Sequence, residues 1–330
     1  MKKILSISAA ISAAAVVALG AAAADAQTKW NMATAYKDNN FHTQNIARFA
    51  KDVARDSGGK LNITLHTGAS LLKMPEIKRG VQTGQVQLGE ILLSAYGKED
   101  PFFEVDGIPF LSKGQPTAWE VYELTLPHIE AKLKSQGLMA LFSVPWPGQG
   151  LYAKKPINST ADYKGVKFRA YNALTARFAE LMGAVPTTVQ SAEVPQAFAT
   201  GVVSAMITSA ATGNYTKAWD FTSHYYDVNA MNNKNMVIMN AKAFDGLDAA
   251  TRRAVTRAAA KAEARGWIMS ANVQAGLTAN LAKNGMTVAP PNPAFLAQLE
   301  KIGAQMVDEW LAKAGDRGKK FIAAYNALGK

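Results

Sequence analysis

The sequence predicts an α/β protein of two lobes, each a mostly parallel sheet flanked by helices, with one long helix spanning both. Three observations predict it. Strand and helix patterns alternate in two successive runs, a proline-rich stretch (Val144-Pro145-Trp146-Pro147-Gly148) divides the runs, and residues 248–283 suit a single helix too long for one small domain.

In the first run, residues 29–36 read as a strand. Residues 41–56 read as a helix, because Phe41, Ile46, Phe49, Ala50 and Val53 recur at helical spacing and Gly58-Gly59 follows as a stop. Residues 60–66 alternate as a strand, 75–83 look helical, and 86–93 form a short apolar strand. A helix at 116–135 and a strand at 138–144 complete this run. The second run has a strand at 166–170, a helix at 173–182, a short helix at 194–200 and a buried strand at 202–208. A strand at 235–240 is expected to carry the chain back to the first lobe. Residues 248–283 contain no proline, two glycines and much alanine, lysine and arginine. At ~1.5 Å per residue such a helix runs roughly 50 Å, a length suited to bracing two lobes. The expected division assigns 27–146 with about 235–274 to lobe I, and 147–234 with about 275–330 to lobe II. Ligands of such sheets sit beyond the carboxyl ends of the strands, so the cleft between the lobes is the expected binding site.

The chain starts with Lys2 and Lys3, continues through a small and apolar run over residues 4–24, and reaches Ala24-Asp25-Ala26. Basic start, apolar stretch and A-x-A site are the parts of a secretory signal, so residues 1–26 are expected to be removed and the mature chain to work in the periplasm. The rival is a retained anchor, since the run approaches the roughly 20 residues that span a bilayer. Its alanine and serine content and the cleavage site favour the signal. No second long apolar stretch follows, so no direct membrane insertion is expected after cleavage. The chain has no cysteine, which excludes disulfides, thiolate metal sites and cysteine nucleophiles. Its formal charge of +11 is scattered, with no basic run beyond the start longer than a pair such as Lys154-Lys155 or Lys319-Lys320. That pattern suits solubility and small anions rather than nucleic acid.

Catalytic patterns are scarce. His42, His66, His128 and His224 are the only histidines and none forms an i, i+4 pair. There is no G-x-S-x-G elbow and no P-loop. Gly148-Gln149-Gly150-Leu151-Tyr152-Ala153 satisfies a loose dinucleotide pattern but leaves no room for the helix that a pyrophosphate needs, and is read as chance. Glu90 is read as structural, and Glu104 and Asp106 as loop hydrogen-bonding groups rather than an acid/base pair. No catalytic residue, metal or cofactor is expected. The best binding signal is the strand ending Phe168-Arg169-Ala170-Tyr171-Asn172, since a planar guanidinium at a strand end can grip a carboxylate with two parallel hydrogen bonds. On the residues alone, a surface arginine and core aromatics fit these positions as well. His42, beside Asn39 and Asn40, is the histidine best placed for ligand contact.

The order and spacing of several segments give more. Gly58-Gly59-Lys60-Leu61, Gly80-Val81-Gln82-Thr83-Gly84-Gln85-Val86, Gly107-Ile108-Pro109-Phe110-Leu111, Tyr163-Lys164-Gly165-Val166-Lys167-Phe168-Arg169, Leu181-Met182-Gly183-Ala184-Val185-Pro186 and Ala197-Phe198-Ala199-Thr200-Gly201-Val202-Val203 follow one another over nearly the whole chain after residue 26. In this the chain resembles the periplasmic solute-binding subunit of tripartite ATP-independent periplasmic (TRAP) transporters, dicarboxylate-binding type. The resemblance implies a binding-protein clamp that captures an organic acid and delivers it to a TRAP-type membrane permease for uptake driven by an ion gradient. It places the carboxylate-binding arginine at Arg169.

Two departures stand out. Thr208 and Ser209 replace an amide-proline element, and a second arginine common in the family falls near Gln149. One clamp instead of two implies a monocarboxylate, aromatic or hydroxylated, with Tyr36, Tyr96, Trp146 and Tyr171 around its apolar part. Ser94, Asn172, Asn39 and His42 are further expected contacts, while Asn232 and Asn235 fall near the return crossing as contacts or hinge residues. A periplasmic enzyme acting on a carboxylic acid, which would need a base near Arg169, and the input domain of a sensor system are the alternatives.

Overall fold

The computed structural model describes residues 27–329. The expected signal segment lies outside the described residues. The first lobe opens with β1 (Thr28–Ala33), α1 (Phe41–Asp56), β2 (Leu61–His66), α2 (Met74–Gln82) and β3 (Leu88–Leu92), followed by α3 (Gln115–Ser135) and β4 (Leu138–Pro145). The chain then crosses and builds β5 (Gln149–Ala153), β6 (Lys167–Ala170), α4 (Ala173–Leu181), β7 (Val185–Thr188), α5 (Val194–Ala199), β8 (Ala205–Ser209), α6 (Ala210–Tyr215) and β9 (His224–Tyr226). It returns through β10 (Lys234–Asn240) and α7 (Ala241–Asp245) to α8 (Ala249–Lys283), β11 (Thr287–Ala289) and α9 (Pro293–Ala327).

Two sheets result, ordered β2-β1-β3-β10-β4 and β11-β9-β5-β8-β6-β7. Each is mostly parallel, with one reversed strand that has just crossed from the other lobe. β10 runs against β3 and β4, and β5 runs against β8 and β9. Central strands β3, β5 and β8 are buried at every position, as strands covered on both faces must be. Helix starts are set by side-chain caps. The Asn40 side chain accepts the His42 N–H at the head of α1, and the Asp248 carboxylate accepts the N–H groups of Ala250 and Thr251 at the head of α8.

At ~1.5 Å per residue the 35-residue α8 runs roughly 50 Å. It packs on α1 and β4 of the first lobe and on α6 and β11 of the second. A second long element, α9, was not expected. It packs on α3 and the turn Pro101–Phe103 of the first lobe and on α4 of the second, bending at Gly315, whose φ of 61° breaks the helical path. Trp310 anchors it, buried against Phe102 and donating its indole N–H to the Pro101 carbonyl at 2.8 Å.

The two crossings are tied to each other. Trp146 N–H donates to the Asn233 carbonyl (2.7 Å), Gln149 N–H to Met231 (3.1 Å) and Ala230 N–H to Gln149 (2.9 Å), while the Asn232 amide reaches the Trp146 carbonyl. Beside them a buried ion pair joins Lys234 Nζ to Asp106 at 3.2 Å, and the same carboxylate accepts the Lys234 backbone N–H. The Asp106 carboxylate thus holds a crossing strand in place.

Candidate functional site: a cavity between the lobes with one buried cation

A cavity of about 410 Å³ opens between the two sheets. Tyr36, from the loop after β1, faces it from the first lobe. Arg169 and Tyr171, at the carboxyl end of β6, and Thr208, in β8, face it from the second. Trp146, Gln149 and Asn233 come from the crossings. The exposed rim includes Lys73 at the head of α2 and Glu193 in the turn before α5.

Arg169 is 2 % exposed. Its Nε donates to the Val189 carbonyl at 2.9 Å, its Nη1 lies 3.5 Å from the Ile207 carbonyl, and its guanidinium sits 5.0 Å from the centre of the Tyr171 ring. Among the described residues these contacts are with carbonyls and a ring, and none is with a carboxylate. Burial pushes the guanidinium down to about 10 from its ordinary 12.5, with the Tyr171 and Tyr36 hydroxyls pulling weakly the other way. A buried cation without a counter-ion on a cavity wall is a receptor for an anion.

The walls are aromatic and their polar tips are pinned. Trp146 and Tyr36 lie 5.1 Å apart between ring centres. The Trp146 indole N–H donates to Asn235 Oδ1 at 2.8 Å, Tyr36 Oη lies 3.5 Å from the same oxygen, and Asn235 Nδ2 donates to Glu90 Oε1 at 2.8 Å. Glu90, buried in β3, also accepts the Thr34 hydroxyl; burial pushes its carboxyl up to about 7, against the hydrogen bonds from Thr34 and Asn235 that oppose the rise. The Gln149 amide donates from Nε2 to the Pro147 carbonyl at 2.8 Å. Asn233 donates to Tyr171 Oη at 3.0 Å and fixes that ring.

Six of the expected contacts therefore share the cavity: Tyr36, Trp146, Gln149, Arg169, Tyr171 and Thr208. The other six stand away from its lining because their polar atoms are engaged elsewhere or face another surface. Asn172 caps α4, accepting the Thr175 N–H, and donates to Ser94 Oγ at 2.9 Å, so both support the Arg169 strand from behind. Ser209 caps α6 by accepting the Thr212 N–H. His42 is buried behind Trp146, ring centres 4.3 Å apart, and burial pushes its pKa well below the ordinary value, so its 3.5 Å approach to Glu90 is made by a neutral ring. Tyr96 packs under Lys78, and Asn39 is exposed on a shallow hollow outside the cavity. Asn233, Thr212 and the turn 190–193 line the cavity without having been expected. Among the described residues no group of histidines and carboxylates could hold a metal ion, and no helix is long and apolar enough to cross a membrane.

Two lobes on a double crossing, closing on an aromatic cavity with one unpaired buried arginine, define a binding protein for a small organic anion. The family model for bacterial extracellular solute-binding proteins, family 7 (DctP), matches residues 32–314, and the chain belongs to that family. Among solved structures, the chain is similar to DctP6 of Bordetella pertussis, an extracytoplasmic solute receptor binding pyroglutamic acid. The two are 48% identical with a TM-score of 0.89, over 91% of this chain and 100% of that one. A marine metagenome TRAP solute-binding protein specific for pyroglutamate is 42% identical with a TM-score of 0.90, over 91% and 99%. A solute-binding protein of Albidiferax ferrireducens is 26% identical over 176 residues, so the match spans about half the length of that curated relative, 52%.

Proposed function

We propose that this protein is a periplasmic receptor that captures a small cyclic monocarboxylate, pyroglutamate or a close analogue, and delivers it to a TRAP-type permease. The observation that carries the proposal is Arg169, buried on the cavity wall with no carboxylate beside it. An anion entering the open cleft supplies the missing charge. Closure of the lobes then removes water from the pair, which strengthens a charge-assisted hydrogen bond and makes closing without an anion costly. Tyr36, Trp146 and Tyr171 cover the apolar remainder of the ligand. Gln149, near which the family resemblance puts a second arginine, carries no charge, which supports one carboxylate over two. The pyroglutamate-binding relatives, at 42% and 48% identity, support the ring acid as ligand.

Thermal unfolding against a panel of pyroglutamate, dicarboxylates and sugar acids tests this. Pyroglutamate is expected to raise the melting temperature by several degrees through mass action, with dicarboxylates giving little. If no acid of the panel stabilises the protein, or if dicarboxylates do so best, the proposal fails.

A further inference from the structure

The hydrogen bonds behind the cavity have a direction. The Trp146 indole N–H is a donor only, so the Asn235 atom facing it at 2.8 Å must be the carbonyl oxygen. The Asn235 amide nitrogen then faces Glu90, where it finds an acceptor at 2.8 Å. This leaves the second lone pair of Asn235 Oδ1 free to accept from the Tyr36 hydroxyl, 3.5 Å away. A second observation agrees. Burial pushes the Tyr36 hydroxyl well above its ordinary value, so it keeps its proton and has one to donate to Asn235 Oδ1. The Tyr36 backbone N–H, donating to Thr34 Oγ1, ties the residue to the hydroxyl that serves Glu90.

We infer that the Tyr36 hydroxyl faces the cavity as a hydrogen-bond acceptor, so that the site selects carboxylates carrying an N–H or O–H donor beside the carboxyl group and rejects isosteres with a bare oxygen there. The inference rests on the ring-acid reading above and names the feature that decides among ring acids. In pyroglutamate that donor is the lactam N–H, on the ring atom next to the carbon bearing the carboxylate. In the corresponding lactone, an oxygen replaces it and sets lone pair against lone pair.

Isothermal titration of the purified protein with pyroglutamate and with that lactone tests the inference. Wild type is expected to bind the lactam at least about tenfold more tightly, Tyr36→Phe to bring the two within about threefold, and Asn39→Ala, outside the cavity, to keep the preference. The wild-type comparison stands even if Tyr36→Phe does not fold. Equal binding of lactam and lactone by wild type overturns the inference and leaves the ring-acid reading intact, as does a preference that survives in Tyr36→Phe. If neither ring acid binds while another carboxylate does, the ring-acid reading falls and takes the inference with it.

Discussion

Replacing Arg169 with methionine separates the cost of the buried cation from its use. The fall of the guanidinium from 12.5 to about 10 corresponds to roughly 3 kcal/mol of unfavourable burial, carried by the empty protein at any ordinary pH. Arg169→Met removes that cost. It also strips the Val189 carbonyl of its donor and removes the stack on Tyr171, together about 2–3 kcal/mol. The two nearly cancel, so the unliganded variant is expected to unfold in urea within about 2 kcal/mol of wild type. The liganded state has no such compensation. A carboxylate left in the closed cavity without its partner costs about 3–5 kcal/mol, so affinity for pyroglutamate should fall by roughly two to four orders of magnitude by titration calorimetry. A variant that binds within tenfold of wild type would refute the clamp. One that loses more than about 4 kcal/mol without ligand would show that Arg169 is a structural group instead.

Further predictions concern the supports of the site. Glu90 keeps its proton up to about pH 7 in the folded chain but only to its ordinary 4.5 when unfolded, so the stability it contributes is present below pH 4.5 and lost as pH rises to 7. Glu90→Gln lacks this term. Its stability relative to wild type should improve by roughly 3 kcal/mol between those pH values in denaturant titrations, and a flat difference would count against the shift. Lys234→Met should cost about 3–5 kcal/mol by stranding the buried Asp106 carboxylate, with Asp106→Asn added in the double variant recovering at least half. Additive losses would exclude the pair as a unit. Gly150→Ala places a methyl 2.4 Å from the Tyr225 ring and 2.5 Å from the Tyr226 carbonyl, so β5 must move away from β9. A loss of about 1–3 kcal/mol in chemical denaturation, with weakened ligand binding through the neighbouring Gln149, is expected.

How much of this was legible follows from what each element needs locally. α1 and α8 were readable because apolar spacing and composition declare a long helix without help from the rest of the chain. α9 carries a similar signal, with Phe295, Leu299, Ile302, Met306 and Trp310 all buried on one side and Asn292-Pro293 at its start, so it was as legible as α1 and α8. β5 is a different case. Its Gly-Gln-Gly opening looks like a turn, and only the Tyr225 ring lying over Gly150 explains a glycine inside a central strand. β9 and β11 have three residues each, too few for any period. In the site, the strand-end and crossing residues converge because topology sends those ends to one cleft. Asn172 and Ser209 are polar at strand ends too, yet a threonine three residues on in each case marks them as helix caps, a signal the sequence did contain. Asn233 and the turn 190–193 lie in irregular segments, where neither spacing nor propensity says which way a side chain points.

The division of labour between the lobes explains why a donor beside the carboxylate would matter for more than affinity. Arg169 belongs to the second lobe and Tyr36 to the first, whereas Trp146, Gln149 and Asn233 sit on the crossings between them. In the closure proposed above, turning about these crossings would change the separation of Arg169 and Tyr36 more than it moves the crossing residues. An acid that satisfies Arg169 alone binds one lobe and leaves the cleft free to reopen. One that also donates to Tyr36 links the lobes through its own two adjacent groups, so the same hydrogen bond that discriminates lactam from lactone also favours the closed form that a permease would receive.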